Sequence, residues 1–140
     1  VQIREAQDNT NETELATSLD NFANANRLSG RYDEAEPLYR RALEMQEHAL
    51  GPDHPSVATT LNNLAGLLRE QGKYDEAEPL YRRALDILAH ALPNDHPNLA
   101  GGYRNLAGLL REMARNDEAL EYERRAAEIE AQRAIAGKPA

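Results

Sequence analysis

Apolar residues in the middle of the chain recur with the spacing of one face of an α-helix. The first stripe consists of Leu61, Leu64, Ala65 and Leu68, at i, i+3, i+4 and i+7. The second stripe consists of Ala77, Leu80, Tyr81, Ala84, Leu85 and Leu88. The pattern therefore predicts two successive amphipathic helices, which we call the first and second helix of a pair.

Residues around the two stripes predict where the helices begin and end. Pro55 suits the first turn of the first helix, where a missing backbone N–H costs nothing, and Gly72 suits a left-handed cap at its end. Asp75 and Glu78 have the spacing of a capping box and predict the start of the second helix. The short connection around Gly72 requires the two helices to run antiparallel.

The predicted pair is repeated along the chain with a period of 42 residues. The letters YDEAEPLYRRAL at Tyr32–Leu43 recur at Tyr74–Leu85, and NLAGLLRE at Asn63–Glu70 recurs at Asn105–Glu112. Such self-similarity predicts stacked units that bury their apolar faces against one another. The predicted parts are residues 1–14, a remnant of a preceding second helix with a linker, then repeats at 15–56, 57–98 and 99–140, the last a capping repeat.

The core positions of the pairs also carry a family signature. In the middle copy these positions are Leu61, Leu64, Ala65, Leu68, Ala77, Tyr81 and Ala84. With them the chain resembles a tetratricopeptide repeat array, and its long period, its LNNLA segment and its DHP segment at Asp53–Pro55 are similar to the kinesin light chain subclass. The resemblance implies an all-α, right-handed α-solenoid of antiparallel helix pairs. It also implies a concave groove that binds a peptide segment of a partner protein, without catalysis.

Composition narrows the classes of function. The 140 residues carry a net charge of -8, which argues against binding to duplex nucleic acid. No apolar run is long enough to span a membrane, and the absence of cysteine excludes disulfides and thiolate chemistry. No nucleophile motif, phosphate loop or metal-ligand spacing is present, so we expect no enzyme, no cofactor and no metal site. The cytoplasm is the expected compartment.

Polar residues of the first helices predict the groove. Asparagine recurs at Asn21, Asn63 and Asn105, and arginine at Arg27, Arg69 and Arg111. Amides can hold an extended peptide backbone, and arginines add bonds to acidic side chains of a partner. The full set of predicted peptide-binding residues is Asn21, Asn24, Arg27, Asn62, Asn63, Arg69, Arg104, Asn105 and Arg111. The alternative is that the asparagines support the turns between repeats and that the arginines pair with Glu70 or Glu112.

Other residues on the same helices refine this prediction. A clamp for a partner's terminal carboxylate would need lysine where the chain has Asp20 and Gly101, so we do not expect one. Gly66 and Gly108 are expected to open room in the groove. The paired arginines of the second helices, such as Arg82 and Arg83, are expected to form an ion-pair face, because Glu36 precedes Arg40 and Glu78 precedes Arg82 by four residues.

The four histidines are interpreted as residues that cap loops. They are His48, His54, His90 and His96. Equivalent histidines of successive repeats are separated by about 10 Å, the distance between packed helices, which is too far to share one metal ion.

Two other functions stay open at this stage. The array could be a spacer or a self-associating element that forms homo-oligomers through apolar residues of its end helices. Those residues are Val1, Ile3, Ile129 and Ile135. It could also be the sensor arm of a larger regulatory protein.

Overall fold

The computed structural model describes the backbone of residues 2–137 and the side chains of residues 10–137, and within this part the chain is helical apart from short connections. Six helices follow one another: α1 (Gln2–Leu28), α2 (Tyr32–Leu50), α3 (Pro55–Glu70), α4 (Tyr74–Ala91), α5 (Pro97–Glu112) and α6 (Asn116–Ala136). None of these helices is both long and apolar enough to cross a membrane.

The six helices form a linear stack of three antiparallel pairs. The most extensive packing joins α1 to α2, α3 to α4 and α5 to α6, and smaller contacts join α2 to α3 and α4 to α5. The first helix α1 also touches α3. Because each element packs only on its near neighbours in sequence, the fold is the all-α solenoid that the repeats predicted.

Histidine caps begin two of the first helices. His54 precedes α3 and His96 precedes α5, each with proline as the next residue. The Nδ1 atom of His54 accepts a hydrogen bond from the backbone N–H of Ser56 at 3.1 Å, and His96 accepts one from Asn98 at the same distance. Each bond satisfies one of the unpaired donors of a helix start. The prediction of loop-capping histidines is confirmed at these two positions and is wrong for His48 and His90, which lie in the last turns of α2 and α4.

Helix α4 begins two residues earlier than predicted, because a capping box would make Asp75 its N-cap residue. Helix α4 starts at Tyr74, and its N-cap residue, Lys73, makes no side-chain capping bond. Asp75 therefore lies within the first turn, where its charge faces the positive end of the helix dipole. The predicted capping box is wrong, because Glu78 instead accepts hydrogen bonds from Arg82 and Arg115.

Helix α1 runs without interruption through the region predicted as a remnant and linker. The later pairs are separated by loops that carry Gly51, Pro52 and Pro55 at the first boundary. At the equivalent positions before the first pair the chain has Asn9, Thr10 and Thr13, none of which ends a helix as strongly. The helix therefore continues from Gln2 to Leu28, and the predicted linker is absent.

Alanine and leucine fill the core, as the stripes predicted. Leu64 and Leu68 of α3 have no exposed surface, and Ala77 and Ala84 of α4 are at most 1% exposed. Of the end residues predicted to be exposed, Ile135 is exposed, but the prediction is wrong for Ile129, which packs into the core. Val1 and the side chain of Ile3 lie outside the described residues.

The turns inside the pairs require a left-handed residue. Gly30 and Gly72 take φ values of +79° and +78° after α1 and α3. The third turn has Ala114 at the equivalent position, with φ +62°. The turns after α3 and α5 have the same backbone hydrogen bond. The N–H of Lys73 donates to the carbonyl of Leu68, and the N–H of Arg115 donates to that of Leu110, both at 2.8 Å. Ala114 is therefore held in a conformation that its Cβ disfavours.

Replacing Ala114 with glycine is expected to stabilise the chain. Glycine adopts a positive φ without a steric penalty, so Ala114→Gly should raise the free energy of unfolding by about 1 kcal/mol. Gly72→Ala should lower it by a similar amount. Urea denaturation followed by circular dichroism measures both changes. An Ala114→Gly variant no more stable than the wild type would contradict the assignment of strain.

Candidate functional site

The arginines of α1 and α3 join one helix pair to the next. Arg27 binds Glu70 of α3 at 2.6 Å and also donates to the backbone oxygen of Asn63 at 3.4 Å. Arg69 binds Glu112 of α5 in the same way, at 2.7 Å. In both cases the glutamate lies 43 residues after the arginine. The pairing that the sequence left open as the alternative is therefore the one observed.

Two glycines make room for these arginines. A Cβ atom added to Gly66 would lie 2.7 Å from Nη2 of Arg27, and one added to Gly108 would lie 2.8 Å from Nη2 of Arg69. The expectation that Gly66 and Gly108 open room in the groove is wrong, because the guanidinium groups occupy that room. We call each set of arginine, glycine and glutamate an inter-pair clamp.

The remaining two predicted arginines pair within the last helix pair. Arg104 binds Glu130 of α6 through two bonds of 2.7 Å, and Arg111 binds Glu123. The hydrogen bond from Arg104 lowers the pKa of Glu130 below its ordinary value. Arg27, Arg69, Arg104 and Arg111 thus each face a carboxylate of the chain itself, which leaves the predicted arginine ladder nearly neutral overall.

The predicted asparagines differ in the contacts that they make. Asn63 donates to Asp20 of α1 at 3.3 Å, and Asn24 accepts a hydrogen bond from the hydroxyl of Tyr39. Asn21 is exposed on α1. Burial raises the pKa of Asp20, and the bond from Asn63 offsets part of that effect. The structure therefore gives Asn24 and Asn63 bonds that tie neighbouring helices together.

Asparagines do meet in a cleft between α3 and α5, which we call the amide cleft. Its volume is about 310 Å³, within the lower range of ligand sites. Its polar lining is uncharged and consists of Thr59, Asn62, Asn63, Asn98 and Asn105. The structure thus brings together three of the nine predicted residues, Asn62, Asn63 and Asn105. Thr59 and Asn98 complete its polar lining.

Two adjacent glycines in α5 have different roles at this cleft. A Cβ on Gly102 would lie 2.9 Å from Leu85 of α4, so this glycine is required for packing. A Cβ on Gly101 would meet no heavy atom within 4 Å, so this position faces open space in the cleft. The backbone at Gly101 is therefore accessible to a ligand that approaches closely.

The arginines of the second helices form the ion-pair face that the sequence predicted. Arg40 binds Glu36 at 3.2 Å, and Arg82 binds Glu78 at 2.9 Å, each four residues apart. Burial alone would raise the pKa of Glu78, but the bonds from Arg115 and Arg82 outweigh it and hold the pKa below its ordinary value. The sequence missed Arg115, which links α4 to the start of α6.

An aromatic cluster at the junction of α4, α5 and α6 was also missed. The rings of Tyr103 and Tyr122 stack with centroids 6.0 Å apart, and Arg125 lies over both. Arg82 contacts Tyr122 and donates a hydrogen bond to its hydroxyl at 2.9 Å. The sequence signal for this cluster is that residue 122, the equivalent of Leu80 in the previous repeat, is tyrosine.

Among the described side chains, no three metal-ligating groups come together.

These features define a helix-pair solenoid whose successive pairs are joined by repeated polar contacts. A family model described as tetratricopeptide repeat matches residues 14–90 and, in a second overlapping match, residues 61–131. The chain belongs to the tetratricopeptide repeat family and is of the kinesin light chain-like type. Tetratricopeptide repeats are generally protein–protein interaction modules. Comparison with curated protein sequences gives no match.

Solved structures of the same fold come from several organisms. BtubC (BKLC) from P. vanneervenii is 25% identical with a TM-score of 0.82, over 96% of this chain and 54% of that one. A kinesin light chain-like protein from Podosopora anserina with nearly identical TPR-like repeats is 24% identical, with a TM-score of 0.78, over 91% of this chain and 60% of that one. The TPR domain of Arabidopsis FLU is 18% identical, with a TM-score of 0.73, over 86% of this chain and 98% of that one. This chain thus spans little more than half the length of the first two proteins.

Proposed function

We propose that the chain binds an extended segment of a partner protein along the surface formed by α1, α3 and α5, with the amide cleft as its centre. The observation that carries this proposal is the cleft lining, where Asn62 and Asn105 are directed to the same space. Each asparagine offers both a donor and an acceptor, which matches the alternating groups of an extended backbone.

The charge around the cleft indicates the chemistry of the partner segment. The four predicted arginines already face carboxylates, so an acidic peptide would have to compete with Glu70, Glu112, Glu123 and Glu130. The lining itself has no charged side chain. An uncharged polar segment therefore fits better than the acidic partner that the sequence suggested.

Filling the cleft tests the proposal. Peptides selected from a random linear display library on the wild-type chain would be titrated against Gly101→Phe, Gly101→Ala and the double variant Asn62→Ala/Asn105→Ala. A Cβ at residue 101 meets no heavy atom within 4 Å, so a phenylalanine there can enter the cleft and fill part of it, and we expect at least tenfold weaker binding. The double variant removes two amides, each of which contributes about 1 kcal/mol to binding. It should therefore also weaken peptide affinity about tenfold or more.

Matched controls separate binding from folding. Gly101→Ala adds a helix-favouring Cβ, as Gly101→Phe does, but leaves most of the cleft open. It should therefore bind the selected peptides nearly as the wild type does. All variants should show the wild-type thermal unfolding or better. If no selected peptide loses affinity for Gly101→Phe, or if the library yields no binder, the groove proposal is wrong.

A further inference from the structure

The first helix exposes a face whose counterparts in the later pairs are buried. Leu15 is 46% exposed and Phe22 is 61% exposed. The equivalent residues of α3, Val57 and Leu64, have no exposed surface. Exposed aromatic and aliphatic side chains on one helix face are typical of an interaction surface. We call this surface the α1 face; it consists of Asn11, Glu14, Leu15, Ser18, Asn21, Phe22, Ala25 and Ser29, all of them exposed.

The α1 face lacks the groups that receive a neighbouring pair in this array. Each inter-pair clamp needs a glycine and a glutamate on the receiving helix, as at Gly66 and Glu70. The equivalent residues of α1 are Asn24 and Leu28, and Leu28 is 89% exposed. If another helix pair packed on this face, its clamp arginine would collide with the side chain of Asn24. It would also find no carboxylate to bind, because Leu28 stands where the clamp has glutamate.

The last helix, α6, does not match the α1 face either. Leu85 and Leu88 of α4 pack on α5, but their equivalents in α6 are Ala127 and Glu130. Glu130 is held by Arg104. Head-to-tail stacking of two copies would bury that ion pair against Leu15 and Phe22, which is unfavourable.

We propose that the α1 face pairs with the α1 face of a second copy of this chain, with the two helices antiparallel about a two-fold axis. With the axis midway between residues 18 and 22, Phe22 of each copy lies against Ser18 of the other. Leu15 then lies against Ala25. Each large side chain thus meets a small one, which lets the helices approach closely.

Charge selects the antiparallel direction. Glu14 is the one charged residue of the α1 face as defined. In a parallel pair the two Glu14 carboxylates would lie side by side. In the antiparallel pair they are about 18 Å apart along the helix axes, beyond the screening length of about 8 Å in physiological salt. The face is separate from the amide cleft, so this proposal does not depend on the groove.

Sedimentation velocity over a concentration series tests the association. The 140-residue wild-type chain should shift from monomer to dimer as its concentration rises. Phe22→Asp places two charges in the interface and should weaken dimerisation at least 30-fold, with an unchanged circular dichroism spectrum because residue 22 is exposed. A wild type that stays monomeric at every concentration, or a Phe22→Asp variant that dimerises equally, would overturn the proposal.

Single cysteines test the direction, because the chain has none of its own. In the antiparallel dimer the two copies of residue 18 are about 6 Å apart along the axis, whereas those of residue 29 are about 27 Å apart. A short bismaleimide should therefore cross-link Ser18→Cys and not Ser29→Cys. Cross-linking of both variants would indicate a parallel pair, and cross-linking of neither would indicate another surface; each result would overturn the proposed arrangement.

Discussion

Leu64→Ala is expected to lower the free energy of unfolding by about 2 to 5 kcal/mol, because it leaves a cavity at the centre of the stack. Leu64 has no exposed surface and belongs to the core that spans all three pairs. Urea denaturation at low protein concentration measures the loss without a contribution from self-association.

The repeat supplies a matched control for this variant. Phe22 occupies the same position one repeat earlier but is 61% exposed, so Phe22→Ala should cost less than about 1 kcal/mol. The sequence pattern alone gives both residues the same role. Equal losses at residues 22 and 64 would show that the α1 face is covered in the monomer, contrary to the structure.

Ala84→Leu is expected to destabilise the chain by about 1 to 3 kcal/mol through overpacking between α3 and α4. Ala84 is 1% exposed, and its small side chain lets the two helix backbones approach closely. Differential scanning calorimetry of the variant should show a lower midpoint of unfolding.

The control for this variant is the same substitution on the exposed side of the same helix. Ala89→Leu adds the same three carbon atoms where α4 is exposed, so its midpoint should stay near that of the wild type. Arg82 is not a neutral position for comparison, because it bonds both Glu78 and Tyr122. If Ala89→Leu and Ala84→Leu lost equal stability, close packing at residue 84 would not be the cause.

The fold could be predicted because each helix is specified by its own stripe of apolar residues and because these stripes repeat along the chain. The stripe through Leu61, Leu64 and Leu68 predicts α3 without reference to the rest of the chain, and the period places its partners. The start of α4 differs from the prediction because Lys73 is its N-cap without a side-chain bond and Glu78 bonds to Arg82. The uninterrupted α1 could not be predicted by alignment with the later repeats, because the glycine and prolines that separate those repeats have no equivalent before the first pair.

The candidate site was predicted less completely, since its contacts cross from one helix pair to another. The sequence indicates that Arg27 and Arg69 lie on one face, but their distance to Glu70 and Glu112 depends on how the pairs stack. The spacing of 43 residues that Arg27 and Glu70 share with Arg69 and Glu112 could have served as a signal. The amide cleft also depends on which of two adjacent glycines packs on α4.

The inter-pair clamps give the array a fixed order. Each clamp takes its arginine from one pair and its glycine and glutamate from the next, so the two sides of a junction are chemically different. The middle pair carries both halves of a clamp. Its Gly66 and Glu70 accommodate Arg27 of the first pair, and its Arg69 binds Glu112 of the last pair. The first pair carries only the donating half. Duplication of the middle pair would therefore lengthen the array with complete junctions, whereas the first pair, moved to a later place, would leave an arginine facing Leu28.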